Sequence, residues 1–284
     1  MKQKYSLFCF ALAALLTTTC SDDNYINDDI PSRLVVEGWI ASGQYPVVMV
    51  TTTLQPSMET NKVSSLSGHI LHWARVAIDD GEREVVLTGM RNNNYLPPYI
   101  YTTTDIRGEP GRTYRLTVKQ EEYYAEAMTT IPEPVTIDNI EQRKISNDEK
   151  LRNLFVNFSN PQDSEHYYGI FYKCGTDAEQ FTMSALGIFQ VNPEKKRVSH
   201  ACTKMSTIKE GKDISSFFSV GDTVCLRLAT MDRVSYDFWT GYQSSMSQSG
   251  NFFVPYTQNI HSNISGGYGY WCGYGISDKW VIVE

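Results

Sequence analysis

The chain has 284 residues, and its 25 basic and 32 acidic side chains give a formal net charge of −7 at neutral pH. This acidic balance disfavours nucleic acid and anionic lipid as binding partners. The 18 tyrosines, with recurrent threonine and valine, indicate a protein rich in β-sheet.

Residues 1–19 have the pattern of a secretory signal peptide. Lys2 and Lys4 give it a charged start, and residues 7–16 form an apolar run that is too short to span a bilayer. Removal of this segment leaves 265 residues, enough for one large or two small domains. The net charge of the mature chain is then 23 minus 32, or −9.

Cys20 stands at the predicted cleavage point and resembles the cysteine of a bacterial lipoprotein signal, which is lipidated and becomes the new N-terminus. Because each buried methylene contributes about 0.8 kcal/mol, several acyl chains would anchor the protein stably. Such signals usually have leucine and a small residue where Thr17 and Thr19 stand here. Cleavage by an ordinary signal peptidase, with Cys20 incidental, is therefore the alternative.

The residues after the predicted anchor are polar and acidic. Ser21, Asp22 and Asp23 resemble the export signal that sends lipoproteins of the Bacteroidetes to the outer face of the outer membrane. We therefore expect a lipid-anchored protein of the outer membrane that faces the cell exterior. Residues 20–32 have little to bury and are predicted to form an acidic tether.

Residues 33–134 are predicted to form an N-terminal β-sandwich. Short strand-like runs follow one another without a helical period, and Asp80-Gly81 and residues 120–122 indicate two hairpin turns. The runs are RLVVEGWI, YPVVMVTTTL, ARVAIDD, REVVLTG, TYRLTVKQ and YYAEAMTTI. Two prolines, Pro132 and Pro134, then interrupt the pattern.

Residues 135–284 repeat this organisation and are predicted to form a C-terminal β-sandwich. The strand-like runs are DNIEQRKI, NLFVNFS, HYYGIFYKC, DTVCLRLATMD and WVIVE. Aromatic residues at spacings of three predict a short helix near residues 235–245, with Asp232 or Ser235 as its N-cap. We thus expect an all-β protein of two tandem immunoglobulin-like or fibronectin-type sandwiches, the second with an inserted helix.

Two segments carry aromatic residues that are candidates for contact with a ligand or partner. The turn-rich segment NNNYLPPYIY is predicted to be an exposed loop, and its candidates are Tyr95, Tyr99 and Tyr101. The segment GGYGYWCGYG lacks the order of a dinucleotide-binding loop. As a closely packed strand it would bury its rings, whereas as a loop it would display them. Its candidates are Tyr268, Tyr270, Trp271 and Tyr274.

Four cysteines lie in the second half of the chain, and they are Cys174, Cys202, Cys225 and Cys272. Export permits disulfides, and four cysteines allow three complete connectivities. The sequence leaves disulfides and free buried thiols both open. The chain has no CxxC pair, which disfavours a zinc site.

No motif for catalysis is evident. The serine-hydrolase GxSxG, the HExxH zinc motif and the Walker phosphate loop are absent from the sequence. His69 and His72 form an HxxH pair without an evident third metal ligand. We therefore expect a protein that is not an enzyme and that binds neither a cofactor nor a metal.

Several motifs occur together in an order that is similar to one lipoprotein family. In the second half, YDFW is followed by NFFVP, SNI and GGYGYWCGY, and in the first half VVEGWI is followed by YRLTV, YYAEAMTTIP and PVTID. This order resembles the Bacteroidetes lipoproteins called domain of unknown function 4249. The resemblance implies an outer-membrane lipoprotein, often encoded beside a TonB-dependent transporter, and it brings no known activity.

The leading hypothesis is a surface lipoprotein that assists a TonB-dependent outer-membrane transporter in capturing a nutrient. A structural or adhesive surface protein is the first alternative, because tandem sandwiches also serve that role. A surface hydrolase is the second alternative, and it would need carboxylates that the fold alone brings together.

Overall fold

The structure is a computed structural model. The residues that it describes are 32–53, 67–146, 148–177, 180–204, 208–209, 212–213, 216–248 and 260–284. Cys20, Ser21, Asp22 and Asp23 lie outside the described residues, so the signal peptide, the lipid anchor and the export signal stay predictions.

Eight strands form among the described residues of the first half of the chain, where β-branched and aromatic residues alternate with polar ones. They are β1 (Leu34–Ala41), β2 (Val47–Thr52), β3 (Arg75–Asp79), β4 (Glu84–Val86), β5 (Thr88–Arg91), β6 (Tyr99–Thr102), β7 (Thr113–Gln120) and β8 (Tyr123–Thr130).

Both hairpins predicted in this half are confirmed. β7 and β8 pair antiparallel along their whole lengths. Between β3 and β4, the Asp80 carboxylate accepts hydrogen bonds from the backbone N–H groups of Glu82 and Arg83, each at 3.0 Å. The predicted run REVVLTG is divided, because β4 pairs with β3 whereas β5 pairs with β6 in a different sheet.

Ten further strands and one helix follow in the described residues. They are β9 (Ile137–Ile145), β10 (Asp148–Ser159), β11 (His166–Cys174), β12 (Thr182–Val191), β13 (Arg197–Cys202), β14 (Ile208–Lys209), β15 (Lys212–Asp213), β16 (Phe218–Ser219), β17 (Thr223–Met231), α1 (Arg233–Gln248) and β18 (Gly267–Ile282). The all-β class with one inserted helix is confirmed.

Most strands form one large sheet that packs against two smaller ones, and β14 and β15 pair in a separate two-stranded sheet. The large sheet has eight strands in the order β12-β11-β17-β18-β1-β2-β6-β5. Val36 of β1 shares a buried apolar core with Leu116 of β7, which belongs to the sheet β4-β3-β7-β8. Leu226 of β17 shares a second core with Val156 of β10, which pairs with β9, β13 and β16. Each half of the large sheet is thus one layer of a β-sandwich.

The last strand, β18, contributes to both halves of the large sheet. Residues 267–274 pair parallel with β1, and residues 275–282 pair antiparallel with β17. Gly269 permits the first pairing, because it has a φ of +111° and a Cβ there would clash with the carbonyl oxygen of Val36. The division into sandwiches at residues 33–134 and 135–284 stays a prediction, and β18 adds a pairing that crosses that boundary.

The helix α1 packs on the face of the large sheet that is turned away from the two smaller sheets. Its N-cap is Asp232, whose carboxylate accepts a hydrogen bond from the backbone N–H of Ser235 at 2.8 Å. Phe238 and Trp239 lie on the sheet side of the helix, and their ring centres are 4.6 and 5.2 Å from the ring of Tyr270. The helix predicted near residues 235–245 is therefore confirmed, with Asp232 as its cap.

Candidate functional site

An open groove of about 740 Å³ lies on the same face of the large sheet, beside α1. Its volume is within the range of about 300–1,000 Å³ that is typical of small-molecule sites. Eight aromatic side chains line the groove, and they are Trp39, Tyr45, Tyr95, Phe171, Phe181, Trp239, Tyr270 and Tyr274. The groove is therefore the candidate functional site.

Strand alternation explains why rings collect on this face. In β1, Val36 and Ile40 are fully buried in the core beneath the sheet, so Trp39 projects to the opposite face. In β18, Trp271 belongs to that same core, and Tyr270 and Tyr274 therefore project into the groove. The parallel pairing of β1 with β18 brings the two rows of outward side chains side by side.

The helix supplies one wall of the groove and fixes the rings of its floor. Trp239 donates a hydrogen bond from Nε1 to the hydroxyl of Tyr274 at 2.6 Å. Burial raises the pKa of Tyr270 and of Tyr274 well above the usual value for a phenol. Both phenols are therefore protonated at neutral pH, and the floor carries no negative charge from them.

A cationic row runs along the second half of the sheet. Arg227 of β17 lies opposite Asp278 of β18, and its guanidinium donates two hydrogen bonds to that carboxylate at 2.7 and 2.8 Å. The guanidinium carbon also lies 3.8 Å from the ring centre of Phe181. On the neighbouring strand, the Nζ of Lys173 lies 5.0 Å from the Phe181 ring centre and 5.2 Å from that of Trp280.

A third cation, Arg107, borders the groove on the side of the first half. Its guanidinium carbon lies 4.1 Å from the ring centre of Tyr45. The same guanidinium donates hydrogen bonds to the Tyr45 hydroxyl at 2.6 Å and to the carbonyl oxygen of Gly43 at 3.0 Å. These contacts hold the Arg107 side chain in one position without neutralising its charge.

The charge of the groove is opposite in sign to that of the whole chain. Among the described residues, its lining has three cations, Arg107, Lys173 and Arg227, against one carboxylate, Asp278. The chain as a whole carries −7. A locally positive cleft with apolar walls concentrates negatively charged ligands from solution.

Tyr95 is the residue of the predicted contact loop that lies in the groove. Its side chain is half-buried, and its ring centre is 6.1 Å from that of Trp39. Tyr99 is also half-buried, but it packs on the first core and donates a hydrogen bond to the carbonyl oxygen of His72 at 3.1 Å. Of these two tyrosines, Tyr95 therefore lines the groove, whereas Tyr99 packs on the first core.

The expectation of an exposed ring is wrong for Tyr101. This residue lies in β6 rather than in a loop, and it is 2% exposed within the first core. Its hydroxyl donates to the carbonyl oxygen of Leu71 at 2.6 Å and accepts from the backbone N–H of Ala74 at 3.0 Å. Burial raises the pKa of Tyr101 to about 12. Tyr101 is a core residue that holds the chain around residues 71–74.

The glycine-rich segment forms a strand rather than a loop, and it divides its rings between its two faces. Tyr270 and Tyr274 line the groove, whereas Trp271 is fully buried and donates a hydrogen bond from Nε1 to the carbonyl oxygen of Tyr114 at 3.0 Å. Contact with a ligand is therefore excluded for Trp271. Tyr268 is 47% exposed and lies beside Arg33, outside the groove lining.

Several lining residues were missed by the sequence analysis. A signal for some of them existed, because the run HYYGIFYKC was predicted to be a strand. Alternation along a strand places Phe171 and Lys173 on the face opposite Tyr168, Ile170 and Tyr172. The side chains that were missed are Trp39, Tyr45, Arg107, Phe171, Lys173, Phe181, Arg227, Trp239 and Asp278.

The four cysteines of the second half are free thiols in the structure. Cys202, Cys225 and Cys272 are buried, and Cys174 is exposed. Burial raises the pKa of the Cys202 and Cys272 thiols to about 12. Of the two alternatives left open by the sequence, the free thiols are the ones that the structure contains.

The two histidines of the HxxH pair have separate structural partners. The Nδ1 of His69 lies 3.0 Å from the Oγ1 of Thr52, and the ring of His72 packs edge-on against Tyr99 at 4.4 Å. Within the described residues, no group of three or more His, Cys, Asp or Glu side chains could hold a metal ion. None of the helices in the described part of the chain is long and apolar enough to cross a membrane.

Comparison with known proteins gives a family but no activity. The crystal structure of bovine butyrophilin is similar to this chain with a TM-score of 0.20 and 10% sequence identity, over 72% of this chain and 93% of that chain. No curated protein matches the chain. The family model described as "Domain of unknown function (DUF4249)" matches residues 23–279. Since this match covers most of the sequence, the chain belongs to the DUF4249 family, as the resemblance of its motifs predicted.

Proposed function

We propose that this protein is a surface-exposed lipoprotein of the outer membrane in the Bacteroidetes, and that it captures a nutrient for a TonB-dependent transporter without changing it chemically. The observation that carries the capture role is the ring-lined groove. Large apolar pockets with a few convergent polar groups are the usual sites for small molecules. The carboxylate that the described residues contribute to its lining, Asp278, is held by Arg227, so these residues present no pair of free carboxylates for acid–base chemistry.

The N-terminal pattern supports the proposed location. Lipid on Cys20 would anchor the chain, and the 13 residues 20–32 could span at most about 45 Å when fully extended. A tether of that reach would let the groove face the medium or the mouth of a transporter. The motif order shared with lipoproteins that are often encoded beside such transporters supports the proposed partner.

The anchor is tested with Cys20→Ala. This variant is expected to leave the membrane fraction and to take up no labelled palmitate, because the acylated sulfur is lost. Cys174→Ala is the matched control, since it removes an exposed free thiol from the folded part of the chain. A Cys20→Ala protein that stays membrane-bound, beside a wild type without label, would contradict lipidation.

Surface exposure is tested by replacing Asp22 and Asp23 with alanine. The double variant is expected to keep its lipid but to become less accessible to protease on whole cells, since the proposed export signal is acidic. Replacing Asp28 and Asp29 with alanine removes the same charge from a more distant part of the tether and serves as control. Equal proteolysis of all three proteins would refute the export signal.

The transporter role is tested by a pull-down from native membranes in gentle detergent. Recovery of a TonB-dependent transporter with the wild type, and not with an unrelated lipoprotein of the same membrane, is the expected result. Repeated failure to recover one would favour the adhesive alternative. Turnover in a substrate screen by the purified protein would instead favour the hydrolase alternative.

A further inference from the structure

Two cations of the groove form no ion pair with a carboxylate of the described residues. Among the residues that the structure describes, the ion pairs include Arg227 with Asp278 but none with Arg107 or Lys173. Both side chains border the groove. An unpaired cation at a partly desolvated site interacts more strongly with an anionic ligand than a cation in open water.

Aromatic contacts hold these cations in place before any ligand arrives. Lys173 lies near the rings of Phe181 and Trp280, and Arg107 lies on the ring of Tyr45. Such contacts restrict the side chain but leave the charge available. These long side chains have therefore already lost much of their conformational entropy in the free protein, so they lose less on ligand binding.

The groove also offers flat apolar surfaces. Trp39 and Tyr95 lie side by side with an angle of 36° between their ring planes. Tyr270 continues this surface towards α1. Aromatic faces of this kind accept a flat partner, such as another ring or the apolar face of a sugar.

We infer that the groove selects a small anionic molecule with a flat apolar face, an acidic sugar or an aromatic carboxylate, whose negative charge is attracted by Lys173 and Arg107. This inference rests on the proposed function, because it names the class of molecule that is captured. Acidic sugars and aromatic carboxylates share a carboxylate that is attached to a ring with a flat apolar face. The tyrosine floor stays neutral at physiological pH and does not oppose the bound charge.

The test measures binding by calorimetry with the detergent-solubilised mature protein and two matched pairs of probes. The first pair is trigalacturonate and its methyl ester, and the second is indole-3-acetate and indole-3-acetamide. One anion is expected to bind about tenfold tighter than its neutral partner, with an affinity that falls as salt is added. The pair that shows this difference identifies the source of the carboxylate.

Substitutions locate the site. Lys173→Met and Arg107→Gln are each expected to weaken binding of that anion about tenfold and to leave binding of the neutral partner unchanged. Lys119→Met is the control, because Lys119 makes a similar ring contact with Tyr124, at 5.2 Å, on the smaller sheet of the first half. Circular dichroism checks that each variant is folded, and Lys173→Ala provides a second variant at that position if Lys173→Met is not.

Each result decides the inference. Equal binding of anion and neutral partner, or binding of neither anion, overturns the ligand class. Equal loss in Lys173→Met and Lys119→Met overturns the site. A transporter recovered in the pull-down without anion binding would overturn this inference and leave the transporter role intact. Anion binding without recovery of a transporter would support this inference and overturn the transporter role.

Discussion

Replacement of Trp271 should destabilise the fold more than replacement of any exposed tryptophan. The ring of Trp271 is fully buried between the large sheet and the first smaller sheet, and its Nε1 is bonded to Tyr114 across that interface. It also packs against Gly38 of the neighbouring strand, where an added Cβ would come within 2.9 Å of the ring. Trp271→Ala therefore removes a large apolar group and a hydrogen bond together.

The size of the effect follows from these contacts. Truncation of a buried tryptophan to alanine costs about 3–5 kcal/mol, and the lost hydrogen bond adds about 1 kcal/mol. A loss of about 4–6 kcal/mol is most of the stability of a typical domain, which is about 5–15 kcal/mol. Trp271→Phe keeps much of the ring volume and should cost about 1–2 kcal/mol.

Urea unfolding followed by circular dichroism measures both variants. Trp73→Ala is the control, because Trp73 is 90% exposed and its removal should change the free energy of unfolding by less than about 0.5 kcal/mol. A decrease of less than about 1 kcal/mol in the free energy of unfolding of Trp271→Ala would refute the reasoning, because removal of a ring that packs the core should cost more than that.

Three further predictions concern the backbone, the pH dependence and the thiols. Gly269→Ala should lower the urea midpoint more than Gly43→Ala, because a Cβ at Gly269 would clash with β1 whereas one at Gly43 meets open space; equal midpoints would contradict this. Burial raises the pKa of Asp80, but two backbone N–H bonds and Arg112 lower it more, so its net pKa is below the usual value. The difference in free energy of unfolding between wild type and Asp80→Asn should therefore be fully present at neutral pH. It should shrink as the pH falls below about 4, because the unfolded chain takes up a proton there first. A difference that does not change with pH would refute this prediction. A thiol reagent should label Cys174 quickly in the folded protein. It should label the buried cysteines once the protein is unfolded without reductant, and failure to label them under those conditions would indicate disulfides.

Local sequence patterns predicted the elements that depend on near neighbours. The hairpin of β7 and β8 followed from two alternating runs joined by a tight turn, and the observed pairing is complete. The helix followed from its aromatic spacing, and Asp232, one of the two candidate caps, is its N-cap. In each case the stabilising contacts lie within a short stretch of chain, so the sequence contains the information that determines them.

Pairing between strands that are distant in the chain could not be predicted from local sequence patterns. The parallel pairing of β1 with β18 joins opposite ends of the described chain, and no local pattern specifies it. The groove depends on that pairing, because it brings Trp39 beside Tyr270 and Tyr274. Tyr101 shows the converse error, since a turn-rich neighbourhood suggested exposure where the strand β6 turns the ring inward.

The strand β18 links the stability of the fold to the composition of the groove. Its residues alternate between the core, where Trp271 is buried, and the groove, where Tyr270 and Tyr274 form the floor. A shift of one residue in the pairing of β18 would exchange the two sets and place the groove tyrosines in the core. The close approach at Gly269 opposes such a shift, because any residue with a Cβ would clash with Val36 if it occupied that position. The glycine-rich segment, for which the sequence left a packed strand and a loop both open, is therefore a strand whose register is favoured by Gly269. That register determines which rings a ligand can reach.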